Sequence, residues 1–144
     1  MNKNNKKIHI SDSAKAKDKV LVVRYMGPKI IREMMKNEQY IEAFIHTQLA
    51  IEKILWDKIV GLFDSRKASV VRQKINKSKS ITRTHELIKW AHFLGAINDD
   101  EFGDLVDFNK KRNGIIHGHG EWWNLKEYRE ALQKGVRFLE KNQF

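Results

Sequence analysis

Apolar residues between positions 38 and 63 return at steps of three and four, which is the period of one face of an α-helix. A stripe this long and broad predicts one helix over about residues 38–63, of the kind that a helical bundle buries. One proline and eight glycines in 144 residues disfavour a turn-rich β-sandwich. The residues that define the stripe are Ile41, Phe44, Ile45, Leu55, Trp56, Ile59, Leu62 and Phe63, widened by Leu49, Ile51 and Ile54.

Two further helices are indicated on either side of this one. Pro28 suits the first turn of a helix over KIIREMMKN, because its fixed φ fits a helix start. Thr82 or Thr84 is a candidate N-cap for a helix that Gly95 closes. The stretch VLVVRY at residues 20–25 fits either a short strand or a helix start, since its length does not distinguish them.

Two more helix starts follow. Asn98 and Glu101 have the spacing of a capping box, and Asn124 precedes Glu127 by three residues at the start of a last helix. We therefore expect an all-α protein, an up-and-down helical bundle of four to five helices spanning residues 20–144. The apolar positions assigned to its last three helices are Leu87, Ile88, Ala91 and Leu94, then Phe102, Leu105 and Val106, then Leu125, Tyr128, Leu132, Val136 and Leu139.

Positive charge is concentrated in two segments. Residues 1–19, which read as a disordered tail, hold six lysines against two aspartates, and residues 65–84 hold seven cations and no acid. The net charge of +10 comes from these segments, because the remaining residues are nearly balanced. Concentrated positive charge attracts polyanions, most commonly nucleic acid, although a solvated basic loop is the alternative. The candidate RNA-binding residues here are Arg66, Lys67, Arg72 and Lys74.

Two absences in the sequence limit the class of protein. There are no cysteines, which excludes disulfides, thiol nucleophiles and zinc sites built from Cys. No apolar run approaches the roughly 18 residues of a membrane span, and no signal-peptide hydrophobic region follows the basic start of the chain. We expect a soluble cytoplasmic protein without a membrane partner.

The helix that begins near Asn98 turns polar on its core-facing side. At about 100° per residue, Asn109 and Asn113 continue the face set by Leu105, while Arg112 and His117 flank it. Burying an unsatisfied polar group costs about 1–3 kcal/mol, so a purely structural helix favours Leu or Ala there. Either a satisfied polar network occupies this face, or the face opens to a cleft or a subunit interface.

The segment Arg112-Asn113-x-x-x-His117-Gly118 resembles the signature of the HEPN superfamily (higher eukaryotes and prokaryotes nucleotide-binding domains). That signature is an Arg, four to six residues, then a His, often with a polar residue directly after the Arg. YIEAFIHTQLAIEKIL is similar to the family's first long helix, and HELIKWAHFLGAINDDEFGDLVDFNKKRNGIIHG to its motif-bearing half. The resemblance covers about residues 36–140.

This resemblance implies a HEPN-like fold and a metal-independent endoribonuclease, in which the ribose 2′-OH attacks its own 3′-phosphate and leaves a 2′,3′-cyclic phosphate. It implies no cofactor, a homodimer with a composite active site, and a role as a toxin or defence effector. His117 would be the acid–base group, Arg112 the phosphate clamp and Asn113 the residue that orients them. Some relatives are modified by an antitoxin protein on a Tyr just after the motif. Here Gly118-His119-Gly120 stands there, which puts that antitoxin mechanism in doubt.

For the neighbouring residues the sequence leaves alternative roles open. His119 is an auxiliary catalytic or RNA-contacting candidate, or a solvated histidine, and no carboxylate or Cys cluster completes a metal site with it. Lys110 and Lys111 are RNA-backbone candidates or part of a solvated face. Trp122 and Trp123 suit base stacking, a dimer interface or core packing.

Two other functions stay open. One is a non-catalytic HEPN-like module that binds RNA or a protein and dimerises. The other is a helical regulator that grips DNA through residues 65–84, although that segment lacks a clear helix-turn-helix pattern. His46, His85 and His92 have no matched partners in the sequence and are interpreted as surface or core histidines.

Overall fold

Helices are the only regular structure in the residues that the computed structural model describes, namely 24–63, 69–70, 73–74, 83–118 and 124–142. The all-α bundle expected from the sequence is confirmed for these residues. The predicted tail at 1–19 and most of VLVVRY lie outside them. Within the described residues the named helices are α1 (Pro28–Lys36), α2 (Tyr40–Gly61), α3 (Thr84–Phe93), α4 (Asp99–Ile116) and α5 (Leu125–Lys141).

Local sequence signals fix most of the helix starts. Pro28 opens α1 as expected. At α4, the Asn98 side chain accepts the Glu101 backbone N–H at 2.8 Å, and the Glu101 carboxylate accepts the Asn98 N–H at 3.1 Å, which confirms the capping box. Asn124 caps α5 by accepting the backbone N–H of Lys126 at 3.0 Å. These caps satisfy backbone donors that a helix start leaves open.

The expected threonine cap of α3 is wrong. Arg83 occupies the N-cap position and makes no side-chain capping bond. Thr84 is the first helical residue, and its hydroxyl donates to the carboxylate of Glu52 on α2. The hydroxyl thus links two helices instead of closing the start of one. The predicted helix end is confirmed, because Gly95 has a φ of +77°.

The core lies where α2 and α5 meet α4. The rings of Phe44 and Phe108 stack with centroids 5.3 Å apart, and both side chains are fully buried. Gly135 on α5 allows this close packing, since a Cβ there would lie 2.8 Å from the Phe108 ring and 2.8 Å from Thr47 Cγ2. The core therefore depends on a glycine at one helix contact.

The buried faces are narrower than the sequence stripes suggested. On α2, Ile41, Ile45 and Leu49 form an exposed apolar row, with 52%, 37% and 37% of their surface accessible. Several apolar residues at or near helix ends are also exposed. They are Leu62, Leu94, Ile116 and Leu125.

Candidate active-site cleft

A cleft of about 850 Å³ lies where the start of α3 approaches the last turns of α4, beside α2. A short turn joins α3 to α4, so the two helices pack as an antiparallel hairpin and the first residues of one lie near the last residues of the other. The cleft is lined by Gln48 and Glu52 from α2, by Arg83, Thr84, His85 and Glu86 at the start of α3, and by Val106, Asn109, Lys110, Arg112, Asn113 and His117 from α4 and the turn after it.

The helix end positions His117 at this cleft. Helix α4 stops at Ile116, and the backbone N–H of His117 still bonds to the Asn113 carbonyl oxygen at 3.0 Å. Gly118 follows with a φ of +66°, a left-handed conformation that suits glycine at a helix end. His117 is therefore the exposed C-cap residue, placed one turn beyond Asn113.

The hydrogen bonding of Arg112 is only partly satisfied within the described residues. Its side chain is partly buried, and its Nη1 donates to Asn113 Oδ1 at 3.0 Å. Its Nε is buried and has no hydrogen-bond partner in the described part of the chain. Within those same residues Arg112 also makes no ion pair. A buried unsatisfied donor costs about 1–3 kcal/mol, so this guanidinium is not optimised for stability alone.

The polar face of α4 opens to the cleft, which was one of the two alternatives left by the sequence. Asn109 is only 6% exposed and Asn113 is partly buried, and both line the cleft. The amide face of α4 and the flanking Arg112 and His117 thus meet at one opening. The structure brings together the three residues that the sequence assigned to catalysis.

The wall opposite α4 was not predicted. Gln48 Nε2 donates to Thr84 Oγ1 at 2.6 Å and to Glu52 Oε1 at 2.9 Å, and the Thr84 hydroxyl donates to the same carboxylate. The available signal was a polar pair, Gln48 and Glu52, on the face of α2 that also carries Ile45 and Leu49. His85 gave no signal of this kind, because the residues of α2 and α4 that line the cleft with it are distant in sequence.

Charges of both signs line the cleft, with more cations than carboxylates. Three cations line it, at Arg83, Lys110 and Arg112. Two carboxylates, Glu52 and Glu86, line it as well, and the first of these already accepts the hydrogen bonds described above. This arrangement suits a ligand with an anionic centre near Arg112.

The remaining candidates lie in different places. Lys110 lines the cleft, whereas Lys111 lies on the side of α4 that faces α5. There its Nζ is 3.4 Å from a Glu127 carboxylate oxygen and 5.9 Å from the centre of the Tyr128 ring. Lys74 is exposed. Arg66, Lys67, Arg72, His119, Trp122 and Trp123 lie outside the described residues.

Metal and membrane features were sought in the same residues. Among the described side chains, no group of three or more His, Asp or Glu residues is arranged to hold a metal ion. None of the helices in the described ranges is both long and apolar enough to cross a bilayer. Comparisons with protein-family models, with the curated proteins and with the solved structures found no match. The residues of the cleft are therefore the basis for a functional assignment.

Proposed function

We propose that this protein is a metal-independent endoribonuclease of the HEPN type, which cleaves RNA through attack of a ribose 2′-OH on the adjacent phosphate. The observation that carries the proposal is that Arg112, Asn113 and His117 line one cleft. A guanidinium at such a cleft is suited to bind phosphate oxygens through its N–H groups.

The chemistry requires only groups that line the cleft. A guanidinium binds two phosphate oxygens and stabilises the charge that grows on them in the transition state. An imidazole transfers protons near neutral pH, and general acid–base catalysis contributes about 10²–10⁴ in rate. In this proposal Arg112 holds the phosphate, His117 transfers the proton and Asn113 keeps the guanidinium in place through its 3.0 Å hydrogen bond.

Charge and volume support RNA as the substrate. Arg83 is the last cation of the basic segment at residues 65–84, and it lines the cleft together with Lys110. These cations extend the positive charge beyond the position proposed for one phosphate at Arg112. They would contact further phosphates of an RNA backbone. A volume of about 850 Å³ is at the upper end of the roughly 300–1,000 Å³ of small-molecule sites, which leaves room for a nucleotide unit.

A homodimer and a cytoplasmic role as a toxin or defence effector belong to the same proposal. The exposed apolar row on α2, Ile41, Ile45 and Leu49, lies on the helix face that carries Gln48 and Glu52 of the cleft. Apolar surface next to a polar cleft suits a subunit interface that places two clefts close together.

The test is RNA cleavage in EDTA with a matched chemical control. We expect cleavage of a labelled single-stranded RNA by the wild-type protein and its loss in Arg112→Ala and His117→Ala. An RNA of the same sequence with a 2′-deoxynucleotide at the cleavage site should resist the wild-type enzyme, because the nucleophile is missing. Cleavage at the deoxy position, or full activity in either variant, would contradict the proposal.

A non-catalytic binding module is the second candidate, and one observation favours it. Trp90 and Phe93 on α3 form an edge-to-face pair with centroids 6.0 Å apart, and they are 44% and 80% exposed. Exposed aromatic residues are typical of protein-binding surfaces. RNA or protein binding by the wild-type chain, with no cleavage under any of the conditions above, would establish this alternative.

A further inference from the structure

Two imidazoles line the cleft, not one. Of the described histidines, His85 and His117 both line it. His46 lies on α2 and does not line the cleft. His92 has a structural role, because its Nε2 is 2.7 Å from Asp99 Oδ1 and its ring stacks on Phe102. His85 is the second residue of α3 and is exposed, so it can exchange protons with solvent.

The position of His85 is fixed by its neighbour in the chain. Thr84 is 6% exposed, and its hydroxyl hydrogen-bonds to Glu52 and to Gln48 Nε2, which ties the first turn of α3 to α2. The next residue is therefore presented to the cleft from a restrained helix start. His117 reaches the same cleft from the end of α4. The two imidazoles thus come from different helices.

We propose that His85 is a second acid–base residue, so that the cleft of a single chain holds both imidazoles that RNA cleavage needs. This inference rests on the proposed ribonuclease function. It differs from the expectation that two copies of His117 from two subunits divide the work. One histidine cannot conveniently serve as base and acid within a single step, and a second one in the same cleft removes that difficulty.

The step balances with these two groups. One neutral imidazole takes the proton of the 2′-OH while O2′ bonds to phosphorus. The bond from phosphorus to O5′ breaks, and the other imidazole, protonated, gives its proton to O5′. Attacking and leaving oxygens lie on opposite sides of phosphorus, which fits groups supplied by two different helices. Exchange of one proton each with water returns both imidazoles to their starting states.

Charged groups from each helix around the cleft line it together with His85, and they contribute to the pH dependence of any activity. From α2 the group is Glu52, at the start of α3 they are Arg83 and Glu86, and from α4 and the turn after it they are Lys110, Arg112 and His117. The test therefore compares complete pH profiles instead of rates at one pH.

The experiment measures kcat and KM for RNA cleavage in EDTA across pH for the wild-type chain, His85→Ala, His117→Ala and the control His46→Ala. We expect a bell-shaped wild-type profile and a fall in kcat of about 10²–10⁴ in His85→Ala, with KM little changed and one limb of the bell lost. His46→Ala should retain the wild-type profile. On RNA with a 5′-thiolate leaving group, which needs no protonation, one of the two cleft variants should regain activity and the other should not.

A mixing experiment tests whether both imidazoles act in one chain. Equal amounts of His85→Ala and His117→Ala should stay inactive after mixing, because every cleft still lacks one imidazole. Recovery of activity would place the pair on different copies and overturn the inference. A second result would also overturn the inference: His117→Ala abolishes cleavage, but His85→Ala cleaves at the full rate and keeps both limbs of the pH profile. The proposed function would survive that result. If the wild-type protein does not cleave RNA, both the inference and the proposed function are contradicted.

Discussion

Replacing Arg112 with methionine should stabilise the fold while removing activity. The change eliminates a buried Nε that has no partner in the described residues, which should raise the free energy of unfolding by about 1–3 kcal/mol. It also removes the 3.0 Å bond from Nη1 to Asn113, worth about 0.5–1.5 kcal/mol. Asn113 is partly exposed, so water can replace that bond. The methionine chain keeps much of the packing, and the balance is a gain of about 1 kcal/mol.

The assay is urea unfolding followed by circular dichroism, with thermal unfolding as a second measure. A gain of about 1 kcal/mol corresponds to a rise of roughly 3 °C in Tm for a domain of this size. Arg32→Met is the matched control, because Arg32 Nε donates to Glu140 at 2.7 Å on the surface. That control should lose up to about 1 kcal/mol. If Arg112→Met instead loses more than about 1 kcal/mol, Arg112 is a structural residue and the reasoning fails.

Three further predictions concern the bundle. Gly135→Ala should lower the free energy of unfolding by about 1–2 kcal/mol in urea, because its Cβ would lie 2.8 Å from the Phe108 ring. Asn98→Ala should lower the free energy of unfolding in urea by about 1 kcal/mol with an unchanged m-value, since the bond from the Glu101 N–H to the Asn98 side chain is lost. The hydrogen bond from Arg32 lowers the pKa of Glu140, so Arg32→Ala should raise that pKa toward its ordinary value in a carboxyl NMR titration. The pair therefore adds stability above the ordinary carboxyl pKa and loses it on acidification.

Each of these predictions has a defined counter-result. Gly103→Ala is the control for Gly135→Ala, because a Cβ at Gly103 meets no atom within 4 Å and should stabilise α4 by up to about 1 kcal/mol. Equal effects of the two substitutions would mean that the Gly135 contact is unimportant. An unchanged free energy of unfolding in Asn98→Ala would show that the Asn98 side-chain cap contributes nothing. An unshifted Glu140 titration would show that the ion pair is absent in solution.

Local chemistry allowed most of the helices to be predicted. The apolar periodicity of α2 and the capping box of α4 depend on residues that are neighbours in the chain. Both can therefore be recognised without knowledge of the tertiary structure. The amide face of α4 was predictable for the same reason, because Asn109 and Asn113 continue a stripe set by Leu105. Its exposure to a cleft was one of the alternatives that followed from the cost of burying amides.

The features that were missed depend on contacts between distant parts of the chain. Thr84 looked like a cap, but it is the first helical residue, and its hydroxyl donates to Glu52, which lies 32 residues earlier. His85 had no matched partner in the sequence. It reaches the cleft because α3 and α4 form a hairpin, and no local sequence pattern predicts that contact. Ile45 and Leu49 were assigned to the core because periodicity identifies an apolar face without showing how much of it a neighbour covers.

The identity of the RNA ends tests the central claim most directly. Single-stranded RNA incubated with the wild-type chain in EDTA, and analysed by mass spectrometry, should yield 2′,3′-cyclic phosphate and 5′-hydroxyl ends. The same incubation with His117→Ala, shown to be folded by its circular dichroism, should yield intact RNA. Intact RNA with the wild-type protein, or cyclic-phosphate products that persist undiminished in His117→Ala, would contradict the account.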